Sequence, residues 1–280
     1  MCIRDRFKRY EISNNVFQNI RTCIYNGAIQ GALNIPSIPA FGLYLGNITI
    51  SDNLFSPTIG TVAPTGTGFV NLGVYLGGPL GPSTNTANTF YIPGSSIRVT
   101  TNNFSRVYRA VHCNGFSNSI YNTINANNRI TMIPDVIAPL ASQFGIEHMG
   151  NINDIVNTNT IIGTAITLSQ TRVTGIYKSM NSNSSIQCNS VVSVYNGFQF
   201  ASNNSGAFWQ SNLINANRQG LFLSNNGIIS QQGSVNSPQD NVWQNPAWWT
   251  GTNFNTFTQG SMASNSMIFR RTIATVSYTH

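Results

Sequence analysis

Apolar and polar residues alternate along the chain in short segments, and no stretch keeps a helical period. In the first recurring pattern two apolar residues lie two positions apart. An Asn follows three positions after the second of them, and a further apolar residue follows two positions after the Asn. Such brief alternation predicts a short strand with one buried face, and the Asn predicts a turn with left-handed backbone angles. The copies are Tyr10, Ile12, Asn15 and Phe17; Ile48, Ile50, Asn53 and Phe55; Ile97, Val99, Asn102 and Phe104; Ala207, Trp209, Asn212 and Ile214; and a weaker one at Ile186, Cys188 and Asn189.

A second pattern begins with Gly or Ala and continues with an apolar residue, any residue and another apolar residue. It predicts a second short strand, so that each repeat holds two strands separated by tight polar turns. Two copies carry a titratable residue in the last, inward position, namely His148 and Lys178, and we expect the strand register to slip there. The copies begin at Gly42, Gly73, Ala110, Gly145, Ala165, Gly175, Gly197 and Gly220.

The spacing of the second pattern selects among all-β architectures. The strand returns after 22 residues from Gly175 to Gly197 and after 23 from Gly197 to Gly220, with longer gaps earlier in the chain. A propeller blade takes about 40–45 residues, and a sandwich does not repeat one strand pattern so regularly. One coil of a parallel β-helix fits the short spacing, and the longer gaps then become loops. In such a solenoid equivalent residues stack about 4.8 Å apart, and Asn side chains form hydrogen-bonded ladders.

With these two patterns the sequence resembles the right-handed parallel β-helix family, the pectin-lyase-like superfold, and in particular its Asn-rich, low-charge members among secreted and surface proteins of environmental bacteria. The resemblance covers about residues 10–229 and is cleanest over 169–230. It implies an all-β, right-handed, single-stranded parallel β-helix, a solenoid of roughly eight to ten coils with loop insertions in the N-terminal half. We expect one domain over residues 7–275, with 231–275 as an end cap that leaves the repeat.

Both ends of the chain look foreign to this repeat. Residues 1–6 and 276–280 resemble peptides translated from sequencing-adapter DNA. We therefore expect these ends to be non-native and the chain to be a fragment of a longer protein.

The composition agrees with a folded solenoid. Charged residues make up 8% of the chain and hydrophobic residues 41%, with 16 Phe, 10 Tyr and 4 Trp to fill a core. Asn accounts for 39 residues and supplies polarity without charge. Like charges stacked about 4.8 Å apart would repel one another, so neutral polar side chains suit the outer ladders.

The charge distribution argues against two classes of partner. The net charge is +7, but no basic run exceeds a pair such as Lys8 and Arg9, so we expect no nucleic-acid binding. No apolar stretch approaches the roughly 20 residues needed to span a bilayer, so we do not expect a membrane-embedded chain.

The cysteines indicate no cofactor. Cys23, Cys113 and Cys188 are odd in number and far apart, which fits neither a disulfide framework nor a zinc site with close ligand pairs. We interpret them as small core residues and expect neither a metal nor another cofactor.

The acidic residues are too dispersed for the active sites that the family resemblance would imply. Lyases of this class hold calcium with clustered acids and use a basic residue to abstract a proton, and the hydrolases use two or three neighbouring aspartates. Glycosidase chemistry needs a carboxyl pair within about 10 Å, which stacking of Glu147 and Asp154 on neighbouring strands could still supply. The acidic residues beyond the first six positions are Glu11, Asp52, Asp135, Glu147, Asp154 and Asp240.

One outward position of the second pattern gathers the candidate binding residues. If the coils stack in register, His112 and Glu147 lie about 5 Å apart on an outer face. A His beside a carboxylate is a plausible acid/base pair, and exposed Tyr rings stack on sugars. The alternative is that these are ordinary ladder residues or are covered by loops. The position reads Tyr44, Tyr75, His112, Glu147, Thr167 or Tyr177, Gln199 and Phe222, of which Tyr44, Tyr75, His112, Glu147 and Tyr177 are the predicted binding residues.

These observations favour a non-catalytic secreted or cell-surface β-helix module that has a structural role or binds a polysaccharide or cell-surface glycan. We expect it outside the cell or on its surface. The alternative is a polysaccharide lyase or glycoside hydrolase of the pectin-lyase-like class, with Glu147 and His112 as its acid/base residues. A viral tail-spike segment shares the fold and composition and is a third interpretation.

Overall fold

The computed structural model describes residues 10–18, 22–26, 43–45, 47–56, 70–77, 89–91, 96–114, 123–132, 142–163, 173–229, 231–234, 236, 239–244, 254–258 and 267–268. These ranges are all-β and contain no helix, and hence no helix long and apolar enough to cross a membrane. The strands are β1 (Tyr10–Ser13), β2 (Val16–Gln18), β3 (Thr22–Asn26), β4 (Leu43–Leu45), β5 (Ile48–Ser51), β6 (Leu54–Ser56), β7 (Val70–Gly77), β8 (Thr89–Tyr91), β9 (Ile97–Thr100), β10 (Asn103–Asn114), β11 (Thr123–Ala126), β12 (Arg129–Met132), β13 (Gln143–Met149), β14 (Ile155–Asn157), β15 (Thr160–Gly163), β16 (Val173–Ser179), β17 (Ser185–Gln187), β18 (Ser190–Val192), β19 (Asn196–Asn203), β20 (Phe208–Gln210), β21 (Leu213–Asn215), β22 (Gln219–Ile228), β23 (Gln231–Gln232), β24 (Val242–Gln244), β25 (Phe254–Thr258) and β26 (Met267–Ile268).

Every pairing between the described strands is parallel. From β11 onward the strands recur in triplets. Each strand from β11 to β22 except β20 pairs with the third strand after it, and β23 pairs with β26 in a separate two-stranded sheet. The resulting stacks run β11-β14-β17-β20, β12-β15-β18-β21-β24 and β13-β16-β19-β22-β25. Earlier strands join the same stacks, and the long strand β10 belongs to two of them. This topology is compatible with a parallel β-helix, in which each triplet is one level.

The core forms because the register places like residues above one another. Phe17, Phe55 and Phe104 occupy equivalent positions, and their rings stack with centroid distances of 4.9 and 4.5 Å. Phe55 and Phe104 are completely buried, and each such side chain contributes about 1.5–3 kcal/mol through burial. The column continues through Ile130, Ile161, Val191, Ile214 and Trp243.

Asparagine builds a continuous ladder along the same stack, as the repeat predicts. Each side-chain amide donates to the Oδ1 atom of the Asn in the next level, at 2.9–3.1 Å. That Oδ1 atom also accepts the backbone N–H of the preceding Asn. The ladder consists of Asn15, Asn53, Asn102, Asn128, Asn159, Asn189, Asn212 and Asn241.

The prediction that the ladder Asn itself takes left-handed backbone angles is wrong. The left-handed residue is the one before it, as at Asp52 with φ 57° and Thr101 with φ 58°. The turn at this preceding residue points the next side chain inward, where the amide pairs with its neighbours. Polar Asn is therefore selected here for its buried hydrogen bonds.

The small residue that opens the second pattern is required by close contact between levels. A Cβ atom on Gly145 would lie 2.6 Å from the carbonyl oxygen of Gly175, and one on Gly175 would lie 2.8 Å from that of Gly197. Such distances are shorter than van der Waals contact.

The copy that begins at Gly42 does not join this stack, because Leu43–Leu45 pairs with β8 in a separate two-stranded sheet. The copy at Ala165 lies outside the described residues.

The expected slip of register at His148 and Lys178 does not occur. Cys113 pairs with His148, His148 with Lys178, and Lys178 with Phe200, all in one register. Both titratable side chains therefore point into the interior and are completely buried.

Stacking also continues beyond residue 230, since Val242–Gln244 pairs with β21 and Asn241 extends the ladder.

Replacing a ladder Asn should destabilise the fold far more than replacing its exposed neighbour. Asn102→Ala removes the acceptor for the backbone N–H of Asn53 and leaves it buried without a partner, which costs about 1–3 kcal/mol. Asn103→Ala, one residue further on at an exposed position, should change the free energy of unfolding by less than about 0.5 kcal/mol. Urea unfolding of the two variants measures the difference. Equal losses would show that the ladder contributes no stability of its own.

Candidate functional site

The structure brings most of the predicted outer position into one column. Parallel pairing of β7, β10, β13, β16, β19 and β22 aligns Tyr75, His112, Glu147, Tyr177, Gln199 and Phe222. We call these six residues the outer column. Tyr44 is not part of it, because β4 pairs with β8 in another sheet, and Tyr25 on β3 is the partner of Tyr75 instead. Thr167 lies outside the described residues.

His112 and Glu147 are in contact, as the stacking of the coils predicts. The Nδ1 atom of His112 lies 2.5 Å from Oε2 of Glu147, and Nη1 of Arg109 lies 3.3 Å from the same oxygen. The Arg109 guanidinium also lies over the Phe144 ring, 5.1 Å from its centroid. The Phe144 ring contacts that of Tyr177 at a centroid distance of 4.9 Å. Arg109 and Phe144 therefore lie beside the outer column and form a compact group with His112, Glu147 and Tyr177.

His112 and Glu147 are not open to solvent, since each is only 4% exposed. This agrees with the alternative in which the pair is covered, and it contradicts an exposed ladder at these two residues. Tyr177 is half-buried, and burial, with a smaller effect from the Glu147 charge, raises the pKa of its hydroxyl. An acid/base residue has to touch its substrate, so burial weakens the geometric argument for catalysis by the pair.

A second cluster of polar side chains lies inside the stack, where the sequence predicted apolar residues. The inward column runs Leu76, Cys113, His148, Lys178, Phe200 and Leu223, so two consecutive levels are ionisable. Asn125 on β11 contacts His148, and Asp154, just before β14, contacts His148, Lys178 and Ser184. Thr123, two positions before Asn125, is buried as well. The inner polar cluster comprises Thr123, Asn125, His148, Asp154, Lys178 and Ser184.

The Asp154 carboxylate is the centre of this inner polar cluster. Its Oδ2 atom accepts from Nδ1 of His148 at 2.5 Å and from Nζ of Lys178, and its Oδ1 atom accepts from Oγ of Ser184. Nζ of Lys178 also lies 3.2 Å from Nδ1 of His148. Asn125 donates to Nε2 of His148 at 2.5 Å. Glu147 faces the outer column, so the two carboxylates bind different partners and do not form a pair.

The dry surroundings disfavour charge on the bases of the cluster. Burial lowers the pKa of Lys178 well below its ordinary value, and an interaction with Cys113 partly opposes this. Burial, followed by repulsion from Lys178, also lowers the pKa of His148. Isolated buried charges cost several kcal/mol, so these surroundings favour the neutral forms of Lys178 and His148.

The donor set of the inner polar cluster does not fit a metal ion. No three His, Cys, Asp or Glu side chains are grouped to hold one anywhere in the described ranges.

Two polar atoms of the cluster, Oγ1 of Thr123 and Oδ1 of Asn125, are buried without a hydrogen-bond partner.

Sequence patterns missed the inner polar cluster because they required apolar residues at the inward positions. The level containing Thr123 and Asn125 and the level containing Asp154 therefore failed the first pattern. The second half of the first pattern is nevertheless intact at both levels, since Asn128 is followed by Ile130 and Asn159 by Ile161. His148 and Lys178 were the imperfect ends of the second pattern. All four irregularities meet at one place in the fold.

Comparisons of the chain with protein-family models, with curated proteins and with solved structures gave no match.

The two described free cysteines should differ sharply in reactivity. Burial raises the pKa of the Cys113 thiol to about 12, whereas Cys188 is exposed. A rise of three pKa units leaves about a thousandfold less thiolate at neutral pH, and thiolate is the reacting form. Iodoacetamide should alkylate Cys188 in the folded protein and Cys113 only after unfolding, as read by peptide mass spectrometry. Rapid alkylation of Cys113 in the native state would contradict its placement in the core.

Proposed function

We propose that the chain forms a right-handed parallel β-helix of the pectin-lyase-like type, with about eight coils in one domain. The triplet pairing of parallel strands supports a solenoid, because one strand of each triplet belongs to each of three stacks. The ladder of eight asparagines supports the number of coils, because each Asn belongs to a different level.

We further propose that this solenoid is a non-catalytic binding module of the cell surface or extracellular space. Its ligand is an extended polysaccharide or cell-surface glycan. The observation that carries this proposal is the outer column, in which an accessible ring and polar groups follow one another at strand spacing. Tyr177 is half-buried and Gln199 is its neighbour in the next level. Arg109, which lies beside the column, retains 29% of its side-chain exposure.

The chemistry of the outer column matches sugar recognition. An aromatic face binds the apolar face of a pyranose ring, and amides and guanidinium groups donate hydrogen bonds to its hydroxyls. Gln199 is held in place because it accepts from Thr174 at 3.1 Å and donates to Ser224 at 2.9 Å. Such fixed polar groups lower the entropy lost on binding.

A polysaccharide-degrading enzyme is the second candidate, and the contact between His112 and Glu147 favours it. Against it, the pair is buried, and Asp154 binds partners inside the core. Glycosidase mechanisms of the usual kind need two carboxyl groups about 5–9.5 Å apart at the bond that is cleaved. The outer column contributes one, Glu147.

Glycan binding should depend on Tyr177. Screening the protein against a panel of soluble polysaccharides by isothermal titration should identify a ligand. Tyr177→Ala should weaken its binding about two- to tenfold, since stacking contributes roughly 0.5–1.5 kcal/mol beyond area burial. The control is Tyr195→Ala, because Tyr195 is also half-buried but lies outside the outer column, beside Arg218.

Two results would overturn this function. Absence of binding across the panel would exclude the glycan-binding role. Release of new reducing or unsaturated sugar ends, lost in Glu147→Gln, would instead establish the enzyme.

A further inference from the structure

The inner polar cluster holds three reactive groups that the proposed function does not use. They are the amine of Lys178, the carboxyl group of Asp154 and the imidazole of His148, all completely buried. Apolar side chains fill the same interior, among them Ile146 and Ile176, which pair in adjacent levels, and Ile186 on β17. The proposed function therefore does not account for the burial of this ionisable triad among apolar side chains.

A plain ion pair explains the triad poorly. A buried ion pair is commonly no more stable than apolar residues of similar volume, because desolvation of both charges offsets their attraction. In the same inward column Cys113 lies before the two ionisable levels, and Phe200 after them. Apolar residues would fit the two levels between. Proton transfer from the ammonium to the carboxylate removes both charges and leaves a neutral amine beside a carboxylic acid.

The triad places an amine nucleophile, a carboxyl group and an imidazole able to transfer protons in contact with one another, as an acyl transfer requires. Nζ of Lys178 contacts Oδ2 of Asp154, so the nucleophile lies next to the carboxyl carbon. Nδ1 of His148 is 2.5 Å from that oxygen and 3.2 Å from Nζ, within reach of both. Ser184 donates to Oδ1, where negative charge develops during attack. Holding reactants in this way makes slow reactions fast, because no encounter has to occur.

We propose that Lys178 and Asp154 become joined by an intramolecular isopeptide bond after the chain has folded. Nζ, having given one proton to Oδ2, attacks the side-chain carbonyl carbon of Asp154, and the carbonyl electrons move to Oδ1, where Ser184 stabilises them. His148 gives its Nδ1 proton to the departing Oδ2 and takes one from Nζ. The carbon–Oδ2 bond breaks and water leaves. One amide bond forms, one water molecule is released, and nothing is oxidised or reduced.

This bond would tie two neighbouring levels of the stack together. Asp154 immediately precedes β14, Lys178 lies on β16, and 24 positions separate them in the chain. A covalent link over that span restricts the unfolded chain and holds one complete level closed. The inference does not depend on the proposed function, because it concerns the interior alone.

Intact-mass spectrometry of the full chain tests the bond. The soluble, folded fraction is isolated, denatured and weighed beside a Lys178→Arg variant, which keeps a cation but removes the nucleophile. We expect the wild-type protein to be lighter than its sequence by one water molecule and the variant to have its full sequence mass. Tandem spectrometry should identify one branched tryptic peptide containing both Asp154 and Lys178.

Further variants separate a catalysed reaction from a chance one. His148→Gln should form the bond at least tenfold more slowly, followed as the growth of the lighter species after purification. Gln187→Ala is the matched control, since this half-buried residue lies outside the inner polar cluster, and it should cross-link fully. A folded wild-type protein at full sequence mass would overturn the proposal and leave Lys178 and Asp154 as an ion pair. A water loss that persists in Lys178→Arg would overturn it as well.

Discussion

The structure depends on one constraint, the parallel register that places the residues of the paired strands directly above their equivalents in the next level. At a spacing of about 4.8 Å, each column has to tolerate its own repetition. Phe55 and Phe104 do so by stacking rings, and Gly145 and Gly175 by omitting a side chain. Asn does so because its amide is both donor and acceptor, so that identical residues satisfy one another. Repeated charges cannot, which explains why charged residues form only 8% of the chain.

The inner polar cluster is the place where this constraint is met differently. His148 and Lys178 are successive members of one column and would repel if both were charged. Asp154, immediately before β14, contacts both and compensates them within the same levels. Interior and exterior thus carry different chemistry on the same strands, since Glu147 and Tyr177 alternate with these residues and face outward.

Much of the all-β arrangement could be predicted from the sequence, and the reasons are local. The Asn pattern determines a turn and a buried amide, so the ladder and the apolar columns follow from it at Ile50, Asn53 and Phe55. The adjacency of His112 and Glu147 followed from counting positions within aligned strands. Other features depended on three-dimensional context. The exclusion of Tyr44 depends on which strand β4 pairs with, and the burial of His112 depends on what packs over the strand. The inner polar cluster joins residues from three strands and two turns, and no single pattern contains them.

The side-chain amide dipoles of the asparagine ladder are also aligned along the stack. Every Oδ1 atom accepts hydrogen bonds from the level before it, so all the side-chain carbonyls of the ladder point the same way along the stack. Aligned amide dipoles polarise one another, and bonds within such a chain are stronger than isolated ones. Asn128 and Asn159 have neighbours on both sides and gain most from this effect, while Asn15 and Asn241 gain least. The stack should therefore loosen from its two ends inward, with its middle levels exchanging their amide hydrogens last.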